Sequence, residues 1–392
     1  MALLRDKDRI YRTPEDICTR LGEDYEEYYG AVNPPIYQTT LFAGHAASAH
    51  GYVYTRVANP TTEVAERKIA ALEGADGALC FGAGMGAITA AILHFARSNG
   101  HIVMVATAYP DAKRFCCQYL KQKFNVDVTF VTGDDTDALR AAIRPETTLI
   151  YLESPSTTVF KMQDLEVIAA IAKSRGIGTA IDNTYATPLY QNPLKWGIDI
   201  VVHTVSKYLC GHSNVVGGVL CARREIIEAI QHTERSMLGS ILGPQESYLL
   251  LMGLRTLPIR MKKHQENGRR IAAYLEQHPN VARVFHPGSH TYPQQALFQK
   301  YMSGSTSLIS FIYDGTPQEA VRFVKALTCF HEGVSWGGFE SLVSGKSIGM
   351  APEQCRVEDV PANVIRLYIG LENPQTLLDD LAQAFDKSKT QV

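Results

Sequence analysis

The chain has no marked excess of either charge: 38 lysines and arginines meet 40 aspartates and glutamates, a formal net charge of −2. Without a basic surplus there is no electrostatic case for nucleic acid, and no basic amphipathic stretch argues for a membrane surface. Long apolar runs are missing too, so no segment is expected to span a bilayer. The opening residues MALLRDKDRIYRTPED are charged and hold no apolar stretch, so no signal peptide is expected. Paired cysteine spacings are absent: Cys18, Cys80, Cys116, Cys117, Cys210, Cys221, Cys329 and Cys355 are scattered and form no CxxC motif. That argues against a zinc site or other metal centre and against a disulfide framework, and suits reduced, mostly buried thiols in a cytoplasmic protein. Internal repeats and low-complexity tracts are also lacking.

What is present is a soluble globular composition, 45% hydrophobic and 20% charged, over 392 residues. That length suits one large domain and a smaller one. The polar, irregular start, interrupted at Asn33-Pro34-Pro35, reads as an N-terminal arm over residues 1–55. Strands and helices alternate over residues 56–238. Gly77–Phe81, His101–Ala106, Val126–Val131, Leu149–Leu152, Gly178–Ile181 and Ile198–His203 read as buried strands. Helical stretches such as Thr61–Leu72, Gly86–Ala96, Asp111–Phe124 and Leu165–Lys173 separate them. Strands buried on both faces and joined by helices predict an α/β domain with a mostly parallel, helix-covered sheet. Residues 239–392 change in texture: long helices over Pro244–Leu254 and Pro258–Gln277, then strand-like Leu308–Tyr313 and Val364–Ile369. They predict a smaller α+β domain.

The most informative segment is His203-Thr-Val-Ser-Lys-Tyr-Leu-Cys-Gly-His-Ser-Asn-Val-Val-Gly-Gly218. A strand runs into Thr204, Ser206 and Lys207, and a glycine-rich loop follows. Hydroxyls beside a lysine at a strand end suit a ligand that carries both a phosphate and an aldehyde, the lysine forming a Schiff base. A lysine after a strand is ordinarily a surface residue, so the neighbours decide. Asp182 ends the apolar strand Gly178–Ile181 and is placed to pair with a pyridinium nitrogen, though a turn aspartate explains it equally well. In Phe81-Gly-Ala-Gly-Met-Gly-Ala87 a strand enters glycines and then a helix, which is a phosphate-holding geometry and, alone, a common one. Tyr109 follows the next strand and can stack on an aromatic ring. All four features fall at C-terminal strand ends, the edge where open α/β sheets bind ligands.

With these residues in view the chain resembles the trans-sulfuration, or Cys/Met metabolism, enzymes that depend on pyridoxal 5'-phosphate. The likeness covers nearly the whole length. It rests on Pro34-Pro-Ile-Tyr-Gln-Thr-Thr-Leu-Phe42, Tyr52-Val-Tyr-Thr-Arg-Val-Ala-Asn-Pro-Thr61, Ser206-Lys-Tyr with Gly211-His-Ser, Ser335-Trp-Gly-Gly-Phe-Glu-Ser-Leu342 and Ile365-Arg-Leu-Tyr-Ile-Gly-Leu-Glu372. The resemblance implies an aspartate-aminotransferase-like fold. It implies that Lys207 carries the cofactor, Asp182 faces its ring nitrogen and Tyr109 stacks on the ring and takes part in catalysis. It implies that Gly84, Met85, Thr204 and Ser206 hold the phosphate, while Tyr54 and Arg56 reach the phosphate of a neighbouring subunit. The active unit is then at least a dimer, with a tetramer built as a dimer of dimers. Arg366 would clamp the substrate α-carboxylate with Ser335 and Trp336, as a guanidinium fork suits a carboxylate, and Arg114 would line the distal pocket.

The expected reaction is carbon–sulfur cleavage in a sulfur amino acid by α,β-elimination, giving thiol, pyruvate and ammonia, with Lys207 as the base. The alternatives are a γ-lyase acting on cystathionine or methionine, a γ-replacement transferase that joins a thiol to an activated homoserine, and a family-fold protein that only binds. Trp336 and Tyr109 point to the cystathionine β-lyase branch, and Arg114 to the γ-lyases. The chain also departs from the family. Asn214 follows Gly-His-Ser where aspartate is frequent, Thr157 replaces an asparagine, and Val343-Ser-Gly-Lys-Ser-Ile-Gly-Met-Ala351 replaces a His-Pro-Ala-Ser-Met-Thr-His stretch.

Overall fold

A computed structural model describes residues 3–44 and 51–389. Residues 45–50 of the expected arm lie outside the described residues. Seven strands form the first sheet: β1 (Gly77–Phe81), β2 (His101–Val105), β3 (Asp127–Val131), β4 (Thr147–Glu153), β5 (Gly178–Asp182), β6 (Ile200–Thr204) and β7 (Gly218–Ala222). Their order is β1-β7-β6-β5-β4-β2-β3. The run from β6 to β3 is parallel throughout. β7 enters antiparallel between β6 and β1, so the sheet is mostly parallel, as expected. The sequence reading leaves Gly218–Ala222 unassigned, because the glycines ahead of it read as the end of a loop. Its five residues are all buried, as are those of β1 and β2, which is what helices on both faces require.

The helices carry their own punctuation. Pro60–Glu73 starts on an Asn59 side chain that accepts the Thr61 N–H, has proline at its first position, and stops at Gly74 in the left-handed region at φ 73°. This helix also anchors the lysine strand: His203 on β6 bonds Glu73 at 2.8 Å, and neither side chain is exposed. Pro110–Arg114 runs through a π-helical turn, Phe115–Leu120, into Lys121–Phe124, so the expected Asp111–Phe124 helix forms with a widened middle. Inside the arm, Pro14–Arg20 is helical and buries Ile17 and Cys18, which its polar sequence does not announce.

A second sheet of five strands follows: β8 (Val281–Phe285), β9 (Leu308–Tyr313), β10 (His331–Glu332), β11 (Leu342–Ser344) and β12 (Val364–Tyr368), in the order β10-β11-β12-β9-β8. It has its own apolar core, with Phe311, Phe323 and Phe385 at its centre. The helix Leu257–Glu276 ties the second half to the lysine turn. Its Arg260 donates to the carbonyls of Tyr208 at 2.8 Å and Gly253 at 2.7 Å. Among the described residues no helix is long and apolar enough to cross a membrane.

Candidate active site

A cavity of about 680 Å³ opens where the C-terminal ends of β4, β5 and β6 face β11 and β12. Eight of the expected residues line it together: Gly84, Met85, Tyr109, Asp182, Thr204, Ser206, Lys207 and Arg366. Ser335 and Trp336 join them from the loop before β11.

Lys207 sits one turn past β6. Its Nζ donates to Ser335 Oγ at 2.7 Å and lies 5.4 Å from the centre of the Trp336 ring. Burial lowers its pKa to about 8, helped by the nearby Arg366 cation and opposed by Asp182. A neutral amine is therefore accessible near neutrality, the form that attacks a carbonyl or takes a proton. Behind the lysine, Tyr208 packs its ring against Trp336, His264 and Tyr368, joining the two halves of the chain. Gly337 presses still closer. At φ 93° it is left-handed, and a Cβ there would lie 2.6 Å from Lys207 Cα, so only glycine fits.

Asp182 ends β5 beside Glu153, its register partner at the end of β4; both are buried. Burial raises the pKa of each, and for Glu153 the neighbouring Asp182 raises it further. Asp182 is the better supported as an anion: it accepts the Thr184 N–H at 2.9 Å and the Thr184 hydroxyl, and His203 and Lys207 favour its charge. Glu153 is then the neutral member. It accepts the Tyr109 N–H at 2.8 Å and so fixes where that ring starts.

The third element is the N-terminus of the helix Gly84–Phe95. Gly86 and Ala87 N–H already donate to Ala83, whose side chain cannot cap the N–H groups ahead of them. A Cβ on Gly84 would fall 2.4 Å from Thr204 Oγ1, so the glycine lets the backbone close on that hydroxyl. Ser206 Oγ is held by the Gly217 N–H at 3.0 Å. Open helix N–H groups beside two hydroxyls make an anion cradle. A cradle, an amine whose neutral form is accessible and a buried carboxylate fit a phosphorylated pyridine aldehyde in chemistry.

Arg366 lies in the middle of its sheet, in register with Ser344 on β11 and Ser310 on β9. It donates to the Val334 carbonyl at 2.8 Å, and burial lowers its pKa to about 10. Three expected residues stand apart from the cavity. Arg114 is exposed and pairs with Asp111 at 3.0 Å. Tyr54 and Arg56 stack on each other at the surface, and Arg56 donates to the Ser236 carbonyl at 2.8 Å. Two lining groups were missed by sequence reasoning. Glu153 follows the same rule that finds Asp182, an acid at the end of an apolar strand. Lys346 belongs to a wall that only the β11–β12 pairing creates.

Fold and site together define an enzyme built around pyridoxal phosphate. The chain belongs to the Cys/Met metabolism PLP-dependent enzyme family, whose model matches residues 16–386. It is similar to the cystathionine gamma-lyase of Bacillus subtilis, 37% identical over 367 residues that cover 92% of this chain and 96% of that protein. It is 35% identical to the L-methionine gamma-lyase of Treponema denticola over 375 residues, 92% of this chain and 93% of that one. The crystal structure of metB from Corynebacterium glutamicum superposes with a TM-score of 0.91 at 31% identity, covering 97% of this chain and 99% of that one. The fold is thus the aspartate-aminotransferase-like fold of PLP-dependent enzymes, and pyridoxal phosphate is the cofactor.

Proposed function

We propose that this protein is a carbon–sulfur lyase acting on a small sulfur amino acid. The observation that carries the reading is one amine, Lys207 Nζ, held by Ser335 in the same cavity as Arg366 and Asp182. Its relatives named as cystathionine and methionine gamma-lyases support it.

In this reading Gly84, Met85, Thr204 and Ser206 hold the phosphate, Asp182 meets the ring nitrogen and Tyr109 covers the ring. The bound cofactor supplies an aldehyde that condenses with amines and a ring that takes up the electron pair released at Cα. The chain's residues do the rest. Arg366 grips the α-carboxylate in two places and, with Ser335 and Trp336, sets which Cα bond faces Lys207. Lys207 Nζ, displaced by the substrate amine, takes the Cα proton as a general base. Ser335 Oγ keeps that nitrogen in reach during the transfer. Sulfur departs from Cβ as a thiolate that takes up the proton held by Lys207, and water hydrolyses the remaining enamine to pyruvate and ammonia.

Trp336 beside Lys207 favours α,β-elimination, and Arg114, turned away to Asp111, no longer weighs against it. The named relatives favour γ-elimination, in which Lys207 also moves a proton at Cβ. A product assay separates them: pyruvate reports the first and 2-oxobutanoate the second. With Lys207→Ala, thiol release is expected to vanish; normal release would sink the scheme.

We divide the chain into an arm, residues 1–55, a cofactor domain, 56–238, and a C-terminal domain, 239–392. The exposed Tyr54 and Arg56, with the exposed apolar Tyr29, Leu41 and Val53 on the arm and Met237 and Leu238 on the short helix Ser236–Leu238, support a shared-site dimer and a tetramer of two such pairs. Eight free thiols suit the reducing cytoplasm.

A further inference from the structure

The charged lining of the cavity is not balanced at its far wall. Glu153 and Asp182 face the cofactor side, and Lys113 is paired with Glu358 at 3.2 Å. Lys207 is held by Ser335, and Arg366 by the Val334 carbonyl. Lys346 alone among the lining cations has no hydrogen-bond or ion-pair partner among the described residues, and the Ser344 hydroxyl beside it has none either.

The backbone fixes where Lys346 stands. Ser344, the last residue of β11, is in register with Arg366, and the chain then turns through residues 346–349 with Ser347 still tied to β12: Ser347 Oγ donates to the Val364 carbonyl at 2.8 Å, and Ser347 O accepts the Asn363 N–H at 3.0 Å. Lys346 thereby stands in the turn two residues past Ser344, the register partner of Arg366, with its side chain exposed on the cavity lining. Val334, Trp336, Met350 and Val360 give the same cavity an apolar wall. This wall is fastened from both sides, by Lys113 to Glu358 and by Lys161 to Asp359 at 2.6 Å.

We propose that Lys346 sets substrate specificity: it receives a carboxylate at the end of the substrate's sulfur-side arm, with the arm's methylenes on the apolar wall. This rests on the lyase reading and narrows its substrate class to thioether amino acids with an anionic terminus. One ammonium and one hydroxyl match one carboxylate, while a phosphate calls for more positive charge. Such a carboxylate is carried either by a thioether that joins two amino acids or by a simple S-carboxyalkyl conjugate.

The test uses the holoenzyme and cysteine and homocysteine bearing three S-substituents of similar size: 2-carboxyethyl, propyl and 2-aminoethyl. Cystathionine tests the first source. The wild type is expected to favour carboxyethyl over aminoethyl in kcat/KM. Lys346→Gln is expected to raise KM for carboxyethyl about tenfold, the scale of one charge-assisted contact, and to leave propyl unchanged. Lys346→Glu reverses the preference for carboxyethyl over aminoethyl. A cystathionine KM that rises with the carboxyethyl one in the Gln variant assigns the two-amino-acid source, and one that stays unchanged assigns the S-carboxyalkyl conjugate. Equal losses for propyl and carboxyethyl, or no loss for either, overturn the proposal. If no thioether yields a keto acid in the wild type, the lyase reading fails. Binding of the same compounds, read from the cofactor's visible spectrum, then still decides Lys346.

Discussion

Gly84→Ala tests the phosphate cradle most directly. The added methyl would sit 2.4 Å from Thr204 Oγ1, 2.9 Å from its Cγ2 and 3.1 Å from its Cβ. Thr204 cannot easily swing away, because a β-branched side chain is stiff at χ1 and its own N–H is held by the Thr184 hydroxyl at 2.8 Å. The helix start must therefore retreat by about 1 Å, or the hydroxyl must leave the cradle. Either response removes one hydrogen bond to a charged oxygen, worth about 1.5–3 kcal/mol, so the cofactor's Kd should rise about 10- to 150-fold. Strain in the apoprotein should cost about 1–3 kcal/mol as overpacking. Equilibrium dialysis of cofactor and the melting temperature of the apoprotein read the two effects separately. Adding Thr204→Ala should restore much of the stability and none of the affinity. Unchanged cofactor affinity in Gly84→Ala would refute the cradle.

Further outcomes are expected. Lys207, lowered to about 8, is mostly ammonium at pH 6 and mostly neutral at pH 9. The rate of cofactor capture by the apoprotein should therefore climb through pH 8 and then level, whereas an unshifted lysine would keep the rate climbing past pH 10; stopped-flow absorbance follows it. Asp182→Asn should keep most of the cofactor bound and lower kcat by about 100-fold or more, on the scale of one lost electrostatic stabiliser, with KM little changed. Glu73→Ala should leave the buried His203 Nε2 without its 2.8 Å partner, at a cost of about 1–3 kcal/mol seen as a lower melting temperature.

The sequence disclosed the cofactor half well because each of its functional groups follows a local rule. Asp182 ends a short apolar strand, Lys207 and Tyr109 follow such strands within three or four residues, and Gly84 opens a helix, so a reader of strand ends finds them. β7 escaped because Gly217 and Gly218 read as loop, although the five residues from Gly218 pair on both sides. The substrate half was legible only by likeness. Ser335, Arg366 and Lys346 are far from Lys207 in the chain, and neither periodicity nor spacing brings β11 and β12 to the edge of the first sheet. Arg114 was misleading for a related reason: its distance from Tyr109 places it near the site, but the helical turn aims it at Asp111.

The contact of Gly337 with the backbone of Lys207 has a consequence for biogenesis. A ribosome releases the cradle, Asp182 and Lys207 well before Gly337, and domains fold as they emerge. For that interval Ser335 is not yet beside Lys207 and Gly337 does not yet press on its backbone. Without Arg366 and the burial that the second half brings, the Lys207 amine stays mostly ammonium and attacks aldehydes slowly. The closing of the second sheet is therefore also the step that turns an ordinary ammonium into a nucleophilic amine.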